Sequence, residues 1–233
     1  MGETTLDRHP GRLAGWLAFV LALAALNYAG RASGIETEDD LAYRYSSSIA
    51  ALLQYAIMLG VVLLIARGLP RKPAFGLVRP PSWPRALGLA AFALVAIYAF
   101  AFVYVQALSL FTDENPSCEQ GIAPTEWDPD RAGAFFAFAA VVVIGAPVVE
   151  ELIYRGIGFA LLAPYGTWVA IVVTGTLFGL THGLLLGLPV LAVFGVVVGW
   201  LRARTRSTYP GMLLHGTFNG IALAAALAAG SQC

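Results

Sequence analysis

Residues of the types that can activate water for hydrolysis cluster in the carboxyl-terminal half of this chain. They form three short patterns: Glu150-Glu151-x-x-x-Arg155, Phe178-x-x-x-His182 and His215-x-x-x-Asn219. A buried carboxylate can take a proton from water, and imidazole and amide groups can hydrogen-bond the oxyanion that develops. The patterns therefore predict a site that activates water.

The Glu150–Arg155 run lies inside an otherwise apolar segment. A charge at bilayer depth costs about 2.5–3.5 kcal/mol on insertion scales, so a cluster of such groups indicates function. Glu151 and Arg155 are four residues apart and share a helix face, whereas Glu150 lies about 100° away around the helix. Arg155 can therefore hold one carboxylate while the other points into a cavity. We expect Pro147 to kink this helix and to free a backbone carbonyl.

Two mechanisms are open for this set of side chains. In the first, a glutamate activates water directly, and the two histidines and the asparagine amide stabilise the oxyanion. In the second, Glu150, His182 and His215 bind Zn²⁺ and leave its fourth position for water, with the second glutamate as base. The spacing does not separate the two, so the cofactor is either none or Zn²⁺.

Other hydrolytic and nucleotide-binding patterns are absent from the sequence. There is no His-Glu-x-x-His and no Gly-x-Ser-x-Gly, which excludes the common zinc-protease helix and the nucleophile elbow. Every aspartate falls outside the predicted membrane spans, and the only lysine, Lys72, lies in a loop. An intramembrane aspartate pair and a Ser–Lys dyad are therefore excluded. No phosphate-binding loop or nucleic-acid signature is present.

The elements that must position these residues are predicted to be membrane-spanning helices. Of the 233 residues, 58% are hydrophobic and 12% are charged, which is about half the charged fraction of soluble domains. Apolar runs predict an all-α, polytopic helix bundle with about seven transmembrane helices, at 13–29, 49–66, 86–111, 133–162, 168–186, 189–201 and 208–229. We expect residues 1–132 to form helices one to three with their loops and residues 133–229 to form the catalytic core of a single membrane domain.

The loops alternate in the sign of their charge. Basic residues precede the first span and fill the second and sixth loops, whereas acidic residues fill the first and third loops. This pattern predicts a cytoplasmic amino terminus and an external carboxyl terminus. The first apolar run also imitates a secretory signal peptide. Cys118 and Cys233 fall on the external side, where they either pair or remain free thiols.

The fifth predicted helix carries a glycine at every fourth position, Gly175, Gly179, Gly183 and Gly187. Such a stripe predicts close packing of two helix backbones. With these boundaries His215 lies nearer the cytoplasmic side than His182, so either the helices are tilted or broken or the fifth span starts later. We expect the chemistry in the last four helices, because the first three contain few polar residues.

The three patterns together resemble the motifs of the CAAX protease and bacteriocin-processing (CPBP) family, which includes Abi-type proteins and relatives of the prenyl-protein CAAX endopeptidase. The resemblance covers residues 133–229. It implies an intramembrane endopeptidase that hydrolyses a peptide bond of a membrane-anchored protein or peptide. The family has been described both as metalloproteases and as glutamate-type proteases, and we favour a metal-independent glutamate mechanism.

The resemblance also implies a role for each candidate site residue. Glu150 would activate water, and Glu151 and Arg155 would support it. His182, His215 and Asn219 would line the cavity that polarises water and the scissile carbonyl.

Two other functions are open. A catalytically silent membrane adaptor or immunity protein could use the same fold to bind a partner. A transporter could use the buried charges as a proton relay, although the chain lacks inverted-repeat symmetry. For each of these functions we expect an integral protein of the lipid bilayer, in a prokaryotic cytoplasmic membrane, that binds no nucleic acid.

Overall fold

The computed structural model describes residues 8–34, 40–112, 119 and 126–229. These residues form helices and no strand. The apolar helices are α1 (Pro10–Ala32), α2 (Tyr45–Ile65), α3 (Trp83–Leu108), α4 (Pro129–Tyr165), α5 (Thr167–Leu180), α6 (Leu188–Thr205) and α7 (Tyr209–Ala229). Six helices of the described ranges are long and apolar enough to cross a membrane, and α5 is shorter. The protein is thus a polytopic helical membrane protein. Cys118 and Cys233 lie outside the described residues.

Helix α5 departs most from its predicted boundaries. It ends at Leu180 after 14 residues, a length of about 21 Å against a hydrocarbon core of about 30 Å. Helix α5 starts at Thr167, next to its predicted start at residue 168. A later start therefore does not explain why His182 and His215 were predicted at different depths. Residues 181–187 form a non-helical loop that leads into α6.

The close backbone packing predicted for the glycine stripe is found at the glycines that lie within α5. A Cβ added at Gly175 would lie 2.4 Å from Val196 N, and one added at Gly195 would lie 2.2 Å from Gly175 O. The backbones of α5 and α6 are therefore in direct contact. The prediction is wrong for Gly183 and Gly187, which lie beyond the end of the helix.

Helix α4, which carries the two glutamates, is not a regular α-helix. Two π-helical turns, Val141–Gly145 and Leu152–Gly158, flank the α-helical residues Ala146–Glu151. In the first turn the N–H of Ala146 bonds to Val141 O, so the next residue, Pro147, would have to donate to Val142 O. Proline has no N–H, and the carbonyl of Val142 is left for another donor, as the sequence predicts.

Side chains from other helices bind the carbonyls that these irregular turns free. The three hydrogen bonds are Asn219 Nδ2 to Val142 O (2.9 Å), Trp16 Nε1 to Ile153 O (3.0 Å) and Arg202 Nε to Arg155 O (3.1 Å). Inside a bilayer such backbone groups require a partner from the protein. Helices α1, α6 and α7 are therefore fixed to α4 where its regular hydrogen bonding fails.

Candidate active site

Four of the predicted site residues form one connected chain of groups between α4 and α7. Arg155 donates from NH1 to Glu151 Oε1 at 2.9 Å. His215 Nδ1 lies 3.2 Å from the same Glu151 oxygen. On its other side, His215 Nε2 lies 3.6 Å from Glu150 Oε2, which is an ion-pair distance and too long for a hydrogen bond. His215 therefore lies between two carboxylates.

The two glutamates have different surroundings. Glu151 is completely buried, whereas the Glu150 side chain keeps 12% of its exposure. Glu150 Oε1 accepts a hydrogen bond from the hydroxyl of Tyr55 at 2.9 Å. Of the two carboxylates, Glu150 is thus the one that a water molecule can reach.

Arg155 and Glu151 are held by the backbones of α6 and α7. Arg155 NH2 donates to Gly195 O at 2.7 Å, at the close contact between α5 and α6. Glycine at position 211 gives the Glu151 carboxylate its space in α7, because a Cβ there would lie 2.9 Å from Glu151 Oε2. The ion pair depends on these close backbone approaches.

Phe178 connects the two histidines. Its ring centroid lies 4.7 Å from that of His182 and 5.4 Å from that of His215. Phe194 packs against His215 from α6, with 4.9 Å between the ring centroids. The short helix α5 therefore brings His182 close to the site, and two aromatic rings fix the orientation of the His215 imidazole.

His182 and Asn219 are oriented by main-chain carbonyls. His182 Nδ1 lies 2.8 Å from Phe178 O. Because a carbonyl only accepts, we assign the proton to Nδ1, and the neutral ring then presents Nε2 as an acceptor. Asn219 uses one amide N–H on Val142 O and keeps the second. The structure thus brings His215 directly to the glutamates and holds His182 and Asn219 by backbone bonds.

The loop of residues 181–187, which carries His182, is bound by side chains from the amino-terminal helices. Its carbonyls accept four hydrogen bonds: Asn27 to Thr181 (2.7 Å), Arg31 to Gly183 (2.8 Å), Tyr28 to Leu184 (3.0 Å) and Tyr104 to Leu186 (2.8 Å). Non-helical backbone is tolerated at membrane depth only where such partners exist. Helices α1 and α3 thus stabilise a segment of the site.

Glu119 completes this arrangement from the loop between α3 and α4. Its carboxylate accepts from the N–H groups of Leu185 and Gly187, the latter at 2.7 Å. It also pairs with Arg31 at 3.2 Å, and only 6% of the Glu119 side chain is exposed. Arg31 therefore binds a carbonyl of the loop, Glu119 binds two of its N–H groups, and the two side chains bind each other.

The predicted zinc ligands are Glu150, His182 and His215. The described residues contain no group of three or more His, Cys, Asp and Glu side chains that could hold a metal ion. Glu150 Oε2 and His215 Nε2 face each other at 3.6 Å, and His182 Nδ1 is bound by a carbonyl, so Nε2 is the nitrogen that this ring can offer to a ligand. The zinc alternative therefore stays a prediction.

Sequence patterns missed the contributions of the first three helices. Tyr55 contacts Glu150 from α2, and Asn27, Tyr28 and Arg31 contact the His182 loop from α1. The available signal was weak: Asn27 and Arg31 are polar residues near the end of an apolar helix. For Tyr55 no spacing pattern exists.

The fold and the site define an integral membrane protein with a buried centre of glutamate, arginine and histidine. A family model described as Type II CAAX prenyl endopeptidase Rce1-like matches residues 132–221, which contain all three motifs. This segment of the chain is therefore similar to the CAAX protease (CPBP) family of membrane proteases. No curated protein and no solved structure gives a significant match.

Proposed function

We propose that this protein is a glutamate-type intramembrane endopeptidase in which Glu150 activates the attacking water. The observation that carries the proposal is the position of His215 between Glu150 and the buried Glu151–Arg155 pair. One carboxylate is partly exposed and reaches the reaction centre. The other is buried, paired and oriented toward the imidazole.

Glu150 acts first as base and then as acid. Its carboxylate takes a proton from water as the water oxygen forms a bond to the scissile carbonyl carbon. When the C–N bond breaks, the protonated Glu150 gives the proton to the leaving amine. The products are a free carboxyl group and a free amino group, and one water molecule is consumed.

His215 stabilises negative charge beside Glu150. With both ring nitrogens protonated, His215 donates from Nδ1–H to Glu151 and offers Nε2–H to the oxyanion of the tetrahedral intermediate. The Nε2 of His182 accepts from water or from the substrate amide, and the second N–H of Asn219 is a further donor.

The proposed mechanism uses the side chains alone. Support comes from the described residues, which contain no group of three or more His, Cys, Asp and Glu side chains that could hold a metal ion. Activity that survives exhaustive chelation, with no stoichiometric metal by elemental analysis, is the expected result. Loss of activity that returns with added Zn²⁺ would overturn this part of the proposal.

The substrate is a membrane-associated protein or peptide whose scissile bond reaches Glu150 within the bilayer. We propose that the basic loops face the cytoplasm, because Lys and Arg are retained on that side. Comparing membrane-protein termini in cells that express the wild type or Glu150→Gln would identify the cleaved sequence. The absence of any difference between the two would count against an endopeptidase.

A reporter built from that sequence tests the role of Glu150. A quenched fluorogenic peptide with a membrane anchor is incubated with purified protein in lipid vesicles. Glu150→Gln is expected to lower kcat about 10²–10⁴-fold, the contribution of a general base, with unchanged thermal stability. Glu126→Gln, the same replacement at an exposed loop position, is the control and should leave kcat unchanged. Undiminished turnover in Glu150→Gln would refute the assignment.

A further inference from the structure

Tyr55 lies outside the segment that matches the family, yet it contacts the candidate base. Its hydroxyl donates to Glu150 Oε1 at 2.9 Å from helix α2. We propose that Tyr55 is a positioning residue that holds the Glu150 carboxylate in its reactive orientation. The role rests on the proposed function of Glu150 as the base.

The two oxygens of Glu150 have different neighbours. Oε1 is bound by Tyr55, and Oε2 faces His215 Nε2 at 3.6 Å. Two contacts on opposite oxygens fix the plane of the carboxylate and the rotation of the side chain. A carboxylate has about four lone-pair positions, so water can still bind at the exposed edge of the group.

The inward face of α2 is built to present this hydroxyl. Met58 and Val62 are buried one and two turns further along the helix, while Gln54 and Ala56 on either side of Tyr55 are exposed. Tyr55 is therefore the residue of its turn that points to α4. Since α2 also packs along α4, its position sets the distance between the hydroxyl and the carboxylate.

Three other tyrosines of the membrane helices make a different kind of bond. Tyr28, Tyr98 and Tyr104 donate to the main-chain carbonyls of Leu184, Phe218 and Leu186. Those bonds fix one segment to another. Tyr55 binds a side chain that changes protonation during the proposed reaction.

Loss of the donor on Oε1 has a geometric consequence. Without the Tyr55 hydroxyl, the Glu150 carboxylate keeps only the contact of Oε2 with His215 and can rotate about its side-chain bonds. Removal of the hydroxyl should therefore reduce turnover while substrate binding is retained.

The test compares Tyr55→Phe with Tyr98→Phe in the vesicle assay with the fluorogenic reporter. Each variant loses one hydroxyl, but Tyr98 serves a backbone carbonyl at 3.2 Å. Tyr55→Phe is expected to lower kcat about 10–100-fold, the range for a lost hydrogen bond to a charged group, with KM within about twofold. Tyr98→Phe should leave kcat unchanged.

A double-mutant cycle tests whether the hydroxyl acts through Glu150. If Tyr55 only positions this carboxylate, Tyr55→Phe should cause no further loss of the residual turnover in Glu150→Gln. An equal fold-loss of kcat from Tyr55→Phe in the wild-type and the Glu150→Gln backgrounds would mean a merely structural role and would overturn the inference.

Failure of the inference differs from failure of the proposed function. If Glu150→Gln is inactive while Tyr55→Phe keeps the wild-type kcat, only the role of Tyr55 is refuted. If Glu150→Gln is fully active, the proposed base is wrong and the role of Tyr55 is refuted with it.

Discussion

Arg155 and Glu151 are bound to each other in complete isolation from solvent. Their closest atoms, NH1 and Oε1, are 2.9 Å apart, and both side chains have 0% exposure. A buried ion pair adds little net stability, but removal of one partner leaves a charge that nothing compensates. The pair also bears on His215, because Glu151 Oε1, which Arg155 holds, lies 3.2 Å from Nδ1 of that ring.

The first prediction concerns this pair. Arg155→Met leaves Glu151 with His215 as its remaining partner and without its guanidinium, and is expected to destabilise the protein by about 3–5 kcal/mol. The double variant Glu151→Gln with Arg155→Met should recover most of that loss, since it removes both charges of the pair. Unfolding in a denaturing detergent titration measures both. Arg131→Met, at an exposed ion pair with Asp40, is the control and should change stability little. An Arg155→Met variant as stable as the wild type would contradict the prediction.

The second prediction separates two roles of Asn219. Asn219→Ala leaves Val142 O without its donor, and an unsatisfied buried carbonyl costs about 1–3 kcal/mol. We therefore expect lower stability together with lower turnover. Thr217→Ala changes an exposed residue on the same helix and serves as the control in the unfolding titration. A loss of turnover at unchanged stability would show that Asn219 acts only on the reacting groups.

The third prediction concerns the contact between α5 and α6. Gly195→Ala places a methyl group 2.2 Å from Gly175 O, so the helices must separate. Overpacking of this kind costs about 1–3 kcal/mol. It should also lower kcat, because Gly195 O is the acceptor of Arg155. Gly60→Ala in α2 is the matched control, since a Cβ there meets no atom within 4 Å. Equal stability of the two variants would refute the direct backbone contact.

The fourth prediction concerns the loop that carries His182. Arg31→Gln and Glu119→Gln each weaken the bonds that hold residues 181–187. Amide hydrogen exchange in this loop should become faster, and kcat should fall as His182 becomes less well ordered. Because the two side chains bind each other at 3.2 Å, their effects should not be additive in a double-mutant cycle.

Additive effects, or unchanged exchange in the loop, would contradict this role of Arg31 and Glu119. Arg131→Gln provides the control for charge removal at the same end of the bundle. It removes the ion pairs of Arg131 with Asp40 and Asp128. None of these three residues lies in the loop of residues 181–187. Exchange at residues 181–187 should therefore remain at the wild-type rate in this variant.

Local contacts were predictable from the sequence. The four-residue spacing of Glu151 and Arg155 was enough to predict their ion pair, because helix geometry places such residues on one face. The missing N–H of Pro147 was enough to predict a freed carbonyl in α4. Both depend only on the chain within a few residues of the position concerned.

The end of α5 was not predictable in the same way. The residues that follow Leu180 include Leu184, Leu185 and Leu186, and they are as apolar as the helix itself. Hydropathy therefore extended the helix to residue 186. The loop is possible because Asn27, Arg31 and other side chains bind its backbone, and such long-range bonds leave no periodic pattern.

The sequence by itself determined the helical membrane fold, the segment that holds the motifs and the pairing of residues one turn apart. Tertiary structure decided which oxygen of Glu150 faces His215, that Tyr55 binds the other, and that Asn219 binds Val142. The physical reason is that contacts between helices depend on the rotation, tilt and interruptions of each helix. These are fixed by the packing of the whole bundle and not by the spacing of residues within one helix.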